Sequence, residues 1–179
     1  MNMRLQNLFA LVLALLLTGC ATLGSLKSDR IELNEAFYPK VVTANLYVEF
    51  KSLPGVISET TYTQFTSNTS SFDADLIVIE VAREVFALKF PNVVIGHPPR
   101  NNSEPHYKIT VNAKANANKY NGAHVSYLEI KLVDENSDLI IELKEEQTVY
   151  DLMYAQPKPM KRAFYRSYHS VLRKIDEVI

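Results

Sequence analysis

Residues 107–118 read Tyr-Lys-Ile-Thr-Val-Asn-Ala-Lys-Ala-Asn-Ala-Asn, an unbroken alternation of apolar and polar side chains over twelve positions. In an extended chain successive side chains point to opposite faces, so this period-two pattern predicts a strand with one dry face and one wet face. Lys119-Tyr120-Asn121-Gly122 follows, and an Asn-Gly pair is the sequence of a tight hairpin because both positions tolerate positive φ. A second strand then carries Leu128, Ile130 and Leu132 against Tyr127, Glu129 and Lys131. Asp134 to Asp138 turns the chain again into Leu139–Tyr150. These three segments predict an antiparallel meander, the centre from which the rest of the fold is read.

Upstream, Leu46, Val48 and Phe50 alternate with Tyr47, Glu49 and Lys51, a further half-buried strand that Leu53-Pro54-Gly55 ends with turn chemistry. A weaker strand is expected through Thr60–Phe65, followed by a hydroxyl-rich stretch, Thr66–Ser71, of residues that cap helices. Between Asp73 and Phe90 the period lengthens. Ala74, Ile77, Val81, Val85 and Leu88 recur every three or four residues, predicting an amphipathic helix capped by Ser70, Ser71 or Asp73 and stopped by Pro91. A short strand over Asn92–Ile95 and a surface loop through Gly96-His97-Pro98-Pro99 to Pro105 complete this half. Past Pro157 and Pro159, Lys158–Ile179 reads as a closing helix with Met160, Phe164, Tyr168, Val171, Ile175 and Val178 on one stripe. The predicted class is α+β, an antiparallel sheet of about four to five strands with two helices packed on one face.

The composition narrows the function. Nineteen Lys and Arg against twenty Asp and Glu give a formal net charge of −1, which speaks against a nucleic-acid-binding field. One cysteine excludes an intramolecular disulfide and a metal site built from several thiolates. That cysteine, Cys20, follows ten consecutive apolar residues, Leu8–Leu17, and the small pair Thr18-Gly19, with Arg4 near the start. Ten helical residues reach only about 15 Å, half of a hydrocarbon core of about 30 Å, so the segment cannot span a bilayer and reads as a secretion signal.

Leu17-Thr18-Gly19-Cys20 resembles the lipobox of bacterial lipoproteins. The resemblance implies diacylglyceryl transfer to the Cys20 sulfur, cleavage before it and an acyl chain on the new amino group. Several acyl chains anchor a protein stably where one does not. It further implies a signal peptide over residues 1–19, an acylated tether over 20–30 and a single periplasmic α+β domain over 31–179. Ala21 is not the Asp of the enterobacterial inner-membrane retention rule, which in a Gram-negative envelope implies the inner leaflet of the outer membrane, facing the periplasm. The passages Phe90–Ile95, His106–Val111 and Leu128–Asp134 are similar to several small envelope lipoprotein families of uncharacterised or scaffold type. That likeness carries over no functional residue except Cys20.

Catalytic signatures are sparse. His97, His106, His124 and His169 lack the spacing that puts two ligands on one helical face. His97 and His106 flank the Pro-rich loop and could meet in space, although loop histidines are more commonly just solvated. No Gly-x-Ser-x-Gly elbow, His-Glu-x-x-His pair or Gly-rich phosphate loop occurs. Glu142, Glu145 and Glu146 lie with Lys144 in one strand, as a solvated face would.

Two surfaces stay open to two readings each. Lys158, Lys161, Arg162, Arg166, Arg173 and Lys174 fall off the apolar stripe of the closing helix. They form either a solvated cationic face or a contact for anionic lipid headgroups, peptidoglycan or an acidic partner. Asn112, Asn116, Asn118 and Tyr127 form either a solvated sheet face or a dock for a partner strand or lipid chain. The expectation is a non-catalytic binding or scaffold component of envelope assembly or maintenance, with an envelope protein partner and no cofactor besides the covalent lipid. The alternative is a lipid- or glycan-binding accessory of an envelope transport system, and the third reading is an enzyme with no recognisable motif.

Overall fold

A computed structural model of the chain describes residues 42–62, 67–99, 104–118, 122–151 and 157–179. The chain divides into two compact units, Met1–Phe37 and Tyr38–Ile179, and every described residue belongs to the second. The expected signal peptide, Cys20 and the tether lie outside the described residues.

The element order is β1 (Asn45–Ser52), β2 (Val56–Tyr62), β3 (Ser67–Asp73), α1 (Ala74–Phe86), β4 (Val93–Ile95), β5 (His106–Asn118), β6 (Ala123–Val133), β7 (Leu139–Tyr150) and α2 (Pro157–Val178). Five strands form one sheet in the order β4-β1-β5-β6-β7, and β2 pairs with β3 in a separate two-stranded sheet. The fold is α+β. The meander β5-β6-β7 is antiparallel as expected, with Val111 opposite Ile130 and Ile130 opposite Leu143. β1, however, runs parallel to both β4 and β5, so the sheet is mixed rather than antiparallel throughout. The cause is the connection: α1 carries the chain back from the end of β1 to its start, where β4 lies alongside in the same direction.

Two further expectations change. Ser67–Asp73 is a strand, registered residue for residue on β2 from Val56 opposite Asp73 to Tyr62 opposite Ser67, and not a run of helix caps. Only Asp73 caps: its Oδ1 accepts the backbone N–H of Asp75 at 2.9 Å and that of Leu76 at 3.4 Å. Asp75 Oδ1 in turn accepts the Gly55 N–H at 2.6 Å, and Gly55 holds φ at 76°, so the turn after β1 is tied to the first turn of α1. Asp73→Ala is expected to cost about 1 kcal/mol in a denaturant melt, because two N–H groups at the helix start lose their acceptor. The helix also stops before Phe90. Leu88 N–H donates to Val85 O and Lys89 N–H to Phe86 O, the tighter spacing that closes a helix end, well ahead of Pro91.

One face of the sheet carries the core. Leu46 and Val48 of β1, Ile109, Val111 and Ala113 of β5, and Leu128, Ile130 and Leu132 of β6 are buried against Val78, Val81, Val85 and Phe86 of α1 and Met160, Phe164, Tyr168 and Leu172 of α2. Val178, expected on the same stripe, is about half exposed because it lies at the last turn of α2. The Tyr168 hydroxyl is buried with no hydrogen-bond partner among the described residues, and burial pushes its pKa far above the ordinary tyrosine value. Its ring packs edge-on to Phe86 at 5.5 Å. Tyr168→Phe keeps that packing and removes the orphaned group, so stability should rise by about 1 kcal/mol. A fall in the urea midpoint would show that the hydroxyl is satisfied.

Candidate functional site

α2 is a 22-residue helix whose apolar stripe is consumed by the core, which turns its charged stripe outward. The six cations singled out from the sequence do not share one fate. Lys161 Nζ donates to Glu80 Oε1 at 2.7 Å and reaches Glu84 at 3.4 Å, both on α1. It also lies over the Tyr165 ring at 5.6 Å. Burial pulls the Lys161 ammonium down, but the Glu80 hydrogen bond and the two carboxylate charges outweigh it and raise its pKa above the usual lysine value. Glu80 is correspondingly lowered by Lys161. Lys174 forms an ion pair with Glu145 of β7. These two cations therefore clamp α2 to α1 and to the sheet.

Lys158, Arg162, Arg166 and Arg173 have no carboxylate partner among the described residues. Lys158, Arg166 and Arg173 are exposed and Arg162 is half-buried. At 100° per residue the four fall within one narrow sector of the helix. From Lys158 to Arg173 the row runs about 22 Å at 1.5 Å per residue. His169 lies in the same sector, its ring stacked on Tyr165 at 6.5 Å. Burial and then the Arg173 charge lower its pKa, so it adds no full charge to the row at neutral pH.

The partner of Lys174 corrects one expectation. Glu145 does not stand on a solvated face with Glu142 and Glu146; it pairs with Leu128 on the core side of the sheet, its side chain only 9% exposed. Glu142 and Glu146 do face outward, with Lys131 to Glu142 at 3.2 Å and Lys144 to Glu129 at 2.9 Å across the open face. Asn112 belongs to this face and accepts the Ser52 hydroxyl at 3.5 Å. Asn116, Asn118 and Tyr127 are exposed there. Cross-strand ion pairs of this kind are what a wetted sheet face presents by default.

Sequence reasoning missed a third cluster. Glu49 of β1 is nearly buried on the open side of the sheet, where Lys108 Nζ lies 2.8 Å from its Oε2, Lys51 pairs with its other oxygen and His97 Nδ1 stands 3.5 Å away. The Lys108 and Lys51 hydrogen bonds lower its pKa from 4.5 to about 2. The alternation of β1 could place Glu49 on the wet face; it could not show that β4 and the segment after it bring His97 over that face. His106 contacts different groups, the Glu104 carbonyl at 2.9 Å and the Tyr47 ring at 5.6 Å. No group of three or more His, Cys, Asp or Glu residues is placed to hold a metal ion among the described residues.

A group with a lowered carboxyl pKa stabilises the fold above its unfolded value and loses that contribution as pH falls through the folded one. Glu49 therefore predicts an acid limb between pH 4.5 and about 2. In urea melts at stepped pH, Glu49→Gln should lose less stability than the parent across that window, and parallel curves would remove Glu49 as its source.

No protein-family model and no curated protein matches the chain. Solved structures do. A DUF330 protein from Xanthomonas campestris aligns over 76% of this chain and 83% of its own at 12% identity and a TM-score of 0.46. A PelC dodecamer from Paraburkholderia phytofirmans aligns over 75% and 91% at 14% identity and 0.49. A Caulobacter crescentus protein provisionally described as a lipoprotein aligns over 57% and 77% at 15% identity and 0.31. At these identities and scores the likeness assigns no role to any residue of this chain.

Proposed function

We propose that the protein is a lipid-anchored component of a bacterial cell envelope that works by binding and not by catalysis, in assembly or maintenance of that envelope. The observation that carries this reading is Leu17-Thr18-Gly19-Cys20 behind ten uninterrupted apolar residues. Charge, length and order of the segment fit a signal that is removed, leaving Cys20 as the acylated first residue. No helix among the described residues is long and apolar enough to cross a membrane, so none of them competes with the lipid as the anchor. The α2 row supplies the contact: Lys158, Arg162, Arg166 and Arg173 offer cationic groups to an anionic partner, while the neutralised open face of the sheet offers mostly paired ones.

Metabolic labelling tests the anchor. Palmitate incorporation into the full chain should be strong, processing should stall under globomycin, and Cys20→Ser should abolish both. Unlabelled, normally processed wild-type protein would overturn the reading.

A further inference from the structure

We infer that α2 is a peripheral membrane-contact helix, which lays the domain side-on against anionic phospholipid headgroups of the same bilayer that holds its anchor. The inference rests on the lipid-anchor reading above and adds to it an orientation, a surface and a ligand class.

Charge complementarity is the first support. Six cations lie off the apolar stripe of α2, and among the described residues carboxylates pair with only two of them, Lys161 and Lys174. The other four form a straight row of about 22 Å. A row suits a plane of headgroups better than a pocket, since each cation meets its own phosphate at a similar height. Glu177 is the one exposed acid beside the row; Asp176 is engaged with Lys89. Three of the four are arginines, whose planar guanidinium matches phosphate in a bidentate manner.

The mode of contact follows from what α2 has already used. Its apolar side, from Met160 to Ile175, is buried in the core, so no hydrophobic face is left to enter acyl chains. Contact is therefore electrostatic, surface-level and sensitive to salt. Each cation near an anionic surface raises partitioning about fivefold, and four raise it several hundredfold. That is weak for a protein arriving from solution. It is ample for one already held at the surface, where the effective concentration is set by the tether.

The chain outside the described residues permits this. Twenty-one residues, 22 Cα–Cα steps, lie between Cys20 and Val42, the first described residue. At about 3.3–3.6 Å each they reach no further than about 70–80 Å, which keeps α2 within range of the bilayer.

The full-length acylated protein carrying Ser170→Cys on α2 tests this with a maleimide fluorophore and vesicles holding a headgroup-labelled acceptor. Cys20 is the only native cysteine, so one dye per chain reports that its sulfur is acylated and two report that it is free. In anchored protein, energy transfer from position 170 should be high in phosphatidylglycerol-containing vesicles, low in pure phosphatidylcholine, and abolished by high salt. The double variant Arg162→Gln/Arg166→Gln should weaken the anionic-lipid contact about 25-fold, with Asn116→Cys on the open face giving the unresponsive control. One dye per chain with equal transfer in both vesicles overturns the α2 contact and leaves the anchor standing. Two dyes per chain overturns the anchor and the contact with it. Lipid-independent transfer together with capture on isolated sacculi assigns the row to glycan and overturns the membrane contact.

Discussion

Asp176→Asn should destabilise the domain by about 3–5 kcal/mol, one of the two largest single-site losses expected in this protein. Lys89 is fully buried in the turn just past the end of α1, and its ammonium is met by Asp176 on the last turn of α2. Taking the carboxylate away strands a positive charge where water cannot reach it, and leaving one member of a buried pair costs far more than the pair itself contributes. Lys89→Met in the same background is the informative rescue, because it removes the stranded charge while keeping the length of the side chain. Urea melts of parent, single and double variants form the cycle. A double variant as unstable as Asp176→Asn alone would mean that the loss comes from helix packing and not from charge. Since a domain of this size is stable by roughly 5–15 kcal/mol, the single change consumes about a fifth or more of it.

Phe164→Ala should cost a similar 3–5 kcal/mol by a different route. Its ring is completely buried in the core, one turn from Tyr168, whose ring centre is 6.5 Å away. Truncation loses apolar burial and leaves a cavity that β6 and β7 beneath the helix cannot close, because their positions are fixed by a ladder from Ala123 opposite Tyr150 to Leu132 opposite Ile141. The midpoint of a urea melt should fall with its slope unchanged. A changed slope would point instead to a loosened native state. The rescue separates the two variants: Lys89→Met should recover stability beside Asp176→Asn and leave the Phe164→Ala loss unchanged.

The meander was legible because its alternation is long, and twelve residues of period two admit only one register against a dry face. α1 and α2 were legible for the same reason at period 3.6. What could not be read is which elements meet. The pattern Leu46, Val48, Phe50 is the same for a parallel and an antiparallel strand, so the direction of β1 depended on a crossover that no local signal encodes. β3 is hydroxyl-rich and has weak strand propensity of its own; β2 imposes its conformation by pairing along its whole length. The basic helix shows the same limit at the level of the site. Its six cations are plain in the sequence, but the acids that claim two of them stand 81 residues away for Glu80 and 29 away for Glu145. Pairing across such distances exists only after folding, and it is what reduces a diffuse cationic face to one row.

Glu145 has a use beyond holding Lys174. β7 is the long outer strand of the five-stranded sheet, and the opposite edge is closed by the three-residue β4. The outward N–H and C=O groups of β7, to which the sheet gives no further strand, would invite a neighbouring chain to extend it. Glu145 holds Lys174 of α2 against the core side of this edge, so a strand added beside β7 would have to fit its inward side chains next to a helix already fastened there. The ion pair thus guards the edge by keeping α2 over it, and Glu145→Leu, which frees Lys174, is the change expected to promote edge-to-edge association in size-exclusion chromatography.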